Sequence, residues 1–330
     1  MRLLLAALAL LCAWAVLAAV GVRQRFEGAP PDLGLCDGLP PPHALRVRPR
    51  PLVAAAPTEP AYAQAFWARV ESDLPAFDIN THDPVAQDVY ISGSVHRGVR
   101  WDPFLWALLA HVLTAERAPR LVVDVGANLG YFSLMAAALG HRVIALEPMG
   151  RNAAKLQASI ARNPGFAERI ALYQYAAASR ADEAVTLAAT HESNQGNGQI
   201  RRRAADAGGV YGIDYARTVR LDDVVDEDVL FLKIDVEGFE AEVLNGASRL
   251  LCRHAVRHIV IEFSEETRRS RRCPADRMLR RMQALGYSIS DIVVGAPRLP
   301  ADTAELPPNL LFTLTDPSRR ACHTSAPTRA

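Results

Sequence analysis

Residues 121–132 read L-V-V-D-V-G-A-N-L-G-Y-F. Apolar residues around Asp124 run directly into a glycine, and a short apolar run bounded by glycine is typical of a strand buried on both faces. Tyr131 to Leu139 follow with helical spacing and no helix breaker. Because glycine adopts φ angles closed to other residues, Gly126 and Gly130 suit a tight turn between the two elements. The sequence therefore predicts a strand, a tight turn and a helix.

A second predicted strand ends on a carboxylate. The string H-R-V-I-A-L-E spans residues 141–147, and Glu147 lies 17 residues after Gly130. An acid at this point of a β–α–β unit can accept hydrogen bonds from both ribose hydroxyls of an adenosine ligand. The turn lacks the G-x-G-x-x-G spacing that cradles a pyrophosphate, and Asp124 suits a cationic or zwitterionic ligand better. S-adenosylmethionine meets both conditions and NAD meets them less well; alternatively, the glycines serve only close packing.

Two further motifs extend this pattern. A-L-E-P occupies residues 145–148, and K-I-D-V-E-G-F-E-A-E-V-L-N-G-A occupies residues 233–247. Together with V-V-D-V-G-A-N-L-G-Y-F-S, these strings resemble the FkbM family of S-adenosylmethionine-dependent methyltransferases. The resemblance covers roughly residues 90–315.

The resemblance implies both a fold and a cofactor site. The implied fold is α/β, a Rossmann-like class I methyltransferase fold with a mostly parallel seven-stranded sheet and helices on both faces. The implied cofactor is S-adenosyl-L-methionine, and the loop of residues 176–180 is where related enzymes pass the adenine ring. The expected cofactor-binding residues are Asp124, Gly126, Asn128, Gly130, Glu147 and Ala177.

The candidate catalytic residues follow the strand predicted over residues 229–234. Parallel α/β sheets bind ligands outside the carboxyl ends of their strands, which places Asp235 and Glu237 at the mouth of the cleft. One of them could accept the proton of an attacking hydroxyl, or both could hold a divalent cation. Alternatively, Glu237 caps the next helix and Lys233 pairs with a neighbouring acid. Glu262 ends another strand on the same edge and is a second-rank candidate.

Three other segments carry weaker signals. Residues 61–77 have the spacing of an amphipathic helix, and residues 88–101 resemble a strand and a turn. Residues 190–217 predict a long loop, which either closes over an acceptor or is a solvated insertion.

The N-terminal region predicts export. Residues 3–20 are 18 consecutive apolar residues, so residues 1–26 form a signal anchor or a cleaved signal peptide. Residues 27–60 hold nine prolines and predict a stem or linker. We expect the methyltransferase domain over residues 61–315 and a disordered tail over residues 316–330. The chain would then be a single-pass membrane protein of a Golgi- or ER-like lumen, or a secreted protein.

Four cysteines lie outside the apolar run: Cys36, Cys252, Cys273 and Cys322. An even count fits disulfides in an oxidising lumen, with three possible pairings, while four unpaired thiols remain the alternative. No C-x-x-C motif or cysteine–histidine cluster predicts a zinc site. The formal net charge of +1 gives no reason to expect a nucleic-acid partner.

These observations lead to three functional hypotheses. The first is a membrane-tethered or secreted S-adenosylmethionine-dependent methyltransferase, which methylates a hydroxyl of a sugar, a glycan or another small acceptor. The family resemblance implies O-methylation, and the secretory-type N-terminus favours a glycan. The second hypothesis is an NAD-dependent oxidoreductase, and the third is a non-catalytic binding module that retains the fold.

Overall fold

The computed structural model describes residues 33–37, 49–52, 66–189, 191–194, 197–201, 212–270, 272–293 and 305–315. Within these residues, no helix has both the length and the apolar character needed to cross a membrane. The predicted signal segment of residues 1–26 and the predicted tail of residues 316–330 lie outside the described part of the chain.

The described part of the chain contains both strands and helices. The strands are β1 (Phe66–Val70), β2 (Phe77–Thr81), β3 (Leu121–Val125), β4 (Arg142–Leu146), β5 (Ile170–Tyr173), β6 (Ala176–Ala177), β7 (Ala184–Ala189), β8 (Gly198–Arg201), β9 (Gly212–Val219), β10 (Val229–Ile234), β11 (Val256–Glu262), β12 (Tyr287–Asp291) and β13 (Asn309–Leu314). The helices are α1 (Ile91–His96), α2 (Pro103–Thr114), α3 (Tyr131–Ala138), α4 (Gly150–Arg162), α5 (Glu240–Gly246), α6 (Ser248–Arg253), α7 (Glu265–Arg269) and α8 (Ala275–Ala284).

A seven-stranded sheet forms the centre of the fold, in the order β12-β13-β11-β10-β3-β4-β5. The five strands from β11 to β5 are parallel, whereas β13 runs antiparallel to both β11 and β12. The predicted α/β architecture with a mostly parallel seven-stranded sheet is therefore confirmed. Every residue of β3 and of β10 is buried, as their apolar sequences predict.

Helices cover both faces of this sheet. Successive side chains of a strand point to opposite faces, and the residues of β3 accordingly divide between two apolar cores. Val123 packs in a core with helices α5, α6 and α8, and Val122 packs in a second core with α2, α3 and α4. The central strands are thus shielded on both sides, which is the usual arrangement of a parallel sheet.

A second, four-stranded sheet has the order β6-β9-β7-β8. It corrects the prediction of one continuous loop over residues 190–217, because β8 and much of β9 fall within that interval. Strand β7 pairs antiparallel with both β8 and β9, while the short β6 connects them to the end of β5. The sequence of β8, G-Q-I-R, has no apolar pattern that would predict a strand. Its extended conformation depends on pairing with β7.

A hairpin and a short helix precede the central sheet, and both differ from the sequence prediction. Residues 66–70, expected to be helical, form β1 and pair antiparallel with β2. Residues 91–96, expected to be extended, form α1, because the Asp88 carboxylate accepts hydrogen bonds from both the backbone N–H and the hydroxyl of Ser92 (2.9 and 2.6 Å). Pairing with β2 in the first segment and the Asp88–Ser92 hydrogen bonds in the second therefore outweigh the spacing of apolar residues from which the predictions were made.

Two parts of the predicted stem, residues 33–37 and 49–52, pack onto the domain. Leu35 is fully buried in the core under α8, and Cys36 forms a disulfide with Cys273. Leu52 donates its backbone N–H to the carbonyl of Leu172 in β5 (2.6 Å). The stem interpretation is therefore wrong for these two segments. In residues 33–37, buried Leu33 and Leu35 and the cross-link offset the entropy of ordering, and in residues 49–52 partly buried Leu52 packs against the second core.

Candidate active site

A cavity of about 440 Å³ opens at the carboxyl ends of β3, β4, β10 and β11. This volume falls within the range of small-molecule sites, and the position follows the general rule for parallel sheets. Its floor and one wall come from the predicted motifs, namely Gly126, Asn128, Glu147, Ala177, Asp235, Glu237 and Glu262. The topology thus brings these residues together, as the sequence predicts.

Both positions in the turn require glycine, because other parts of the same chain lie where a Cβ atom would be. Gly126 has a φ of +76°, and a Cβ placed on it would lie 1.8 Å from the carbonyl oxygen of Asp235. Gly130 has a φ of +81°, and its Cβ would lie 2.1 Å from a methyl group of Leu156. Gly126 also lines the cavity, whereas Gly130 is not among the lining residues. The alternative that glycine serves close packing therefore holds for Gly130.

Glu147 is held at the end of β4 by three donors. Its carboxylate accepts the backbone N–H of Asn128 (2.7 Å), the backbone N–H of Met149 (2.9 Å) and the side-chain amide of Asn152 (3.4 Å). Only 4% of Glu147 is exposed, and burial raises its pKa to about 7 against the opposing effect of these hydrogen bonds. The carboxylate is fixed in orientation and faces the cavity.

Asp124 does not line this cavity, which corrects its place among the expected cofactor contacts. One carboxylate oxygen accepts a hydrogen bond from the Ser133 hydroxyl (2.6 Å), and the other lies 3.5 Å from the Lys233 ammonium. Asp124 and Lys233 are register partners on β3 and β10. The acid is 2% exposed beneath the turn, so it acts on the site through Lys233 and helix α3.

Lys233 forms ion pairs with two acids, Asp124 on β3 and Asp235 at the end of β10. Its ammonium lies 3.1 Å from a carboxylate oxygen of Asp235 and 3.2 Å from the carbonyl oxygen of Gly126, to which it donates. Desolvation favours the neutral amine, but the charges of Asp235 and Asp124 outweigh it and raise the pKa of Lys233. A positive charge therefore lies at the lining of the cavity, and the pairing alternative for this lysine is confirmed.

Asp235 and Glu262 form a hydrogen-bonded pair of carboxyl groups. Desolvation opposes ionisation of Asp235, but the Lys233 charge and the hydrogen bond with Glu262 outweigh it and lower its pKa. The charge of Asp235, burial and the same hydrogen bond raise the pKa of Glu262 to about 11. At neutral pH the pair consequently holds one proton, on Glu262, and leaves Asp235 as the ionised carboxylate. The Asp235 side chain is 37% exposed, so a ligand in the cavity can reach it.

Glu237 completes a group of three acids. Asp235, Glu237 and Glu262 each offer a carboxylate oxygen, and these oxygens lie within 4.8 Å of one another. Such a group has the composition of a divalent-cation site, although Lys233 already supplies a cation on one side. Glu237 has a φ of +54°, a strained conformation for a side-chain-bearing residue. It is not the helix cap, because the next helix begins after Phe239 without a side-chain cap.

The outer walls of the cavity come from elements that the family motifs do not include. The β7–β8 connection contributes His191, Asn194 and Asn197, and β8 contributes Gln199, all within the interval that the sequence assigned either to acceptor closure or to a solvated insertion. The opposite side contributes Tyr90 and Trp101, whose rings meet edge to face at 5.9 Å. Sequence reasoning missed this aromatic pair because the residues between them were interpreted as a strand. The side chains of the arginine triplet at residues 201–203 lie outside the described part of the structure.

These features define an α/β protein with a cavity at the carboxyl ends of its parallel strands, beside a cluster of three acids. Residues 124–289, half of the chain, match the model of the methyltransferase FkbM domain. The chain therefore belongs to the FkbM methyltransferase family, for which S-adenosylmethionine is the methyl donor. The family prediction made from the motifs is confirmed.

Solved structures give more distant likenesses. Magnesium protoporphyrin IX methyltransferase from Synechocystis PCC 6803, with bound S-adenosylmethionine, is 12% identical with a TM-score of 0.39, over 69% of this chain and 85% of that one. The O-methyltransferase from Bacillus cereus, in complex with S-adenosylhomocysteine, is 14% identical with a TM-score of 0.31, over 69% of this chain and 96% of that one. No curated protein matches the sequence.

Proposed function

We propose that this protein is an S-adenosylmethionine-dependent O-methyltransferase of the class I fold, and that it methylates a hydroxyl group of a sugar, a glycan or another small acceptor. In this proposal Glu147 and the turn after β3 hold the donor, and Asp235 receives the acceptor's proton. The observation that carries it is the Lys233–Asp235–Glu262 group, which keeps one ionised carboxylate on the floor of the cavity.

The cavity offers suitable groups to the donor. The Glu147 carboxylate is oriented by backbone N–H groups and is available to the two ribose hydroxyls. Among the described residues, none donates a hydrogen bond to the buried side-chain oxygen of Asn128, so it is a ready acceptor for the ammonium group of the methionine moiety. Ala177 lies 4% exposed in the cavity wall, where a small side chain leaves room for an adenine ring.

Methyl transfer to a hydroxyl requires mainly that the protein position the acceptor and remove its proton. The sulfonium of the donor supplies a methyl group that is already activated for attack by an oxygen nucleophile. As the new C–O bond forms and the C–S bond breaks, the hydroxyl proton passes to the Asp235 carboxylate. Lys233 favours the ionised state of that carboxylate before the reaction, and Glu262 donates a hydrogen bond to it. Orientation of the acceptor and proton removal are recognised sources of rate enhancement.

A sugar or glycan suits the acceptor side of the cavity. Asn194, Asn197 and Gln199 supply amide donors and acceptors, while Tyr90 and Trp101 supply aromatic faces against which an apolar ring face can pack. The expected export of the chain supports a glycan among the possible acceptors. The Cys36–Cys273 disulfide supports export in turn, because such bonds persist in oxidising compartments.

The alternative role of these acids is metal binding, in which Asp235, Glu237 and Glu262 hold a divalent cation. In that account the cation orients the acceptor oxygens and lowers the pKa of the hydroxyl. Chelation distinguishes the two: with a metal site, EDTA abolishes wild-type activity and Mg²⁺ or Mn²⁺ restores it. With Asp235 as the proton acceptor, EDTA leaves the rate unchanged.

The principal test is turnover by an Asp235→Asn variant, measured with a labelled methyl donor and a glycan panel. Asparagine keeps the size of the side chain but removes the basic carboxylate, so we expect turnover to fall about 10²–10⁴-fold. Affinity for S-adenosylmethionine should change little, because the ribose contacts lie on β4. A matched control is Asp223→Asn, which neutralises a partly buried acid that lies after β9 and is not among the cavity-lining residues.

Three other outcomes would contradict the proposal. Near-wild-type turnover by Asp235→Asn would make that residue structural. Tighter binding of NAD than of S-adenosylmethionine in a calorimetric titration would instead favour an oxidoreductase. Binding of the donor without transfer to any acceptor would favour a binding module.

A further inference from the structure

The N-terminal hairpin contributes a residue to the donor site from outside the region that matches the family. We propose that His82, which directly follows β2, is a positioning residue for S-adenosylmethionine: through Asn152 it fixes the orientation of the Glu147 carboxylate. This inference rests on the proposed role of Glu147 in ribose binding. Residue 82 lies well before residues 124–289, so neither the family motifs nor their spacing indicate it.

The three side chains form a continuous buried chain. The His82 Nε2 atom lies 2.8 Å from the Asn152 side-chain oxygen, and the Asn152 side-chain amide donates to Glu147 (3.4 Å). His82 is 4% exposed and Asn152 is fully buried, so water does not compete for these hydrogen bonds. Asn152 lies in the first turn of α4, three residues after Met149, whose backbone N–H binds the same carboxylate oxygen.

The direction of each hydrogen bond in this chain is determined. Because Asn152 uses its amide N–H toward Glu147, its oxygen must accept, and His82 Nε2 must carry a proton and donate. Burial lowers the pKa of His82 to about 4, so the ring is neutral and supplies the donor without a net charge. The imidazole therefore fixes the amide, and the amide in turn limits the rotation of the Glu147 carboxylate.

The hairpin itself is anchored independently of this chain. Lys155 donates to the carbonyl oxygen of Thr81 (2.7 Å), and Asn163 makes two hydrogen bonds with the backbone of Asp78 (2.8 and 2.7 Å). These contacts hold β2 along the length of α4 without a hydrogen bond to Glu147. Asn163, at the far end of that helix, therefore provides a control in which the hairpin is loosened and the chain to Glu147 is left intact.

The test is titration of S-adenosylmethionine into the purified full-length protein and its variants, with thermal unfolding measured in parallel. His82→Leu should raise the Kd about fivefold to tenfold, the equivalent of one net hydrogen bond. His82→Gln, which keeps a donor at a similar distance, should recover much of the affinity. Asn163→Ala should lower the melting temperature without changing the Kd. In a Glu147→Gln background, His82→Leu should change the Kd by less than about twofold, because its effect passes through the carboxylate.

The outcomes separate this inference from the proposed function. If wild-type protein fails to bind S-adenosylmethionine, the proposed function is overturned. If wild-type protein binds it and Glu147→Gln weakens binding, but His82→Leu binds as wild type, only the inference is overturned. Should His82→Leu fail to fold, Asn152→Ala interrupts the same chain at its middle, and wild-type affinity in that variant overturns the inference equally.

Discussion

A methyl group added at Gly126 has a predictable and large effect. The residue has a φ of +76°, and the new Cβ would lie 1.8 Å from the Asp235 carbonyl oxygen and 2.9 Å from its carbonyl carbon. Holding alanine in the left-handed region costs about 1–2 kcal/mol. The contact is with backbone rather than with a flexible side chain, so β3 and β10 must separate locally, which adds about 1–3 kcal/mol as an overpacking cost. We therefore expect Gly126→Ala to lower the free energy of unfolding by about 2–5 kcal/mol.

Thermal unfolding of purified protein measures this effect against a control. For a domain of this size, each kcal/mol corresponds to about 2–4 °C, which predicts a fall of about 4–20 °C in Tm. Gly140 has a φ of +90° and open space where its Cβ would lie, so Gly140→Ala carries only the conformational cost. Equal Tm values for the two variants would refute the argument that close approach of Asp235, rather than φ alone, requires glycine at position 126. Turnover by Gly126→Ala should also fall, because the displaced carbonyl belongs to the candidate proton acceptor.

Three further perturbations test separate parts of the structure. Lys233→Met removes the charge that lowers the pKa of Asp235, so the acidic limb of the kcat/KM profile should move to higher pH; an unmoved limb would contradict the pairing. Cys273→Ser opens the disulfide to Cys36, which spans 237 residues and stabilises the fold by about 5 kcal/mol in the chain-entropy model, so Tm should fall by about 10–20 °C. Deletion of residues 1–26 should yield a soluble cytosolic protein, and full-length protein that never fractionates with membranes or medium would overturn the export prediction.

The parts of the site that could be predicted from sequence are those set by local pattern and by the parallel-sheet rule. The turn after β3 is visible because a short, mainly apolar run passes directly into a segment with two glycines. Asp235 and Glu262 could be placed on one edge because both end buried strands, and neighbouring parallel strands end together. Their sharing of one proton could not be predicted, since it depends on the lateral distance between β10 and β11. Pairing of Lys233 with a neighbouring acid was one of the sequence-based alternatives, but its contact with Asp124 depends on the register of β3 and β10.

The errors concern contacts between distant parts of the sequence. The spacing of apolar residues around Phe66 suits a helix, yet pairing with β2, which itself packs against α4, stabilises a strand there. His82 had no signal of its own, because its partner Asn152 is 70 residues away. Leu35 and Cys36 were assigned to a linker on the average composition of their surroundings. A few buried residues within a proline-rich segment are enough to attach it, and composition alone does not detect them.

The burial of Leu33 in the core also limits the length of the linker between the domain and its N-terminal apolar segment. Only residues 21–32 separate the end of that segment from the first attached residue, and fully extended they reach about 45 Å. A free stem continuing to residue 60 would have reached roughly three times as far. With residues 3–20 held in a bilayer, the catalytic domain would work within one domain diameter of the lipid surface. The domain would then reach acceptors on or near the membrane surface, and it would not reach acceptors that lie far from that surface.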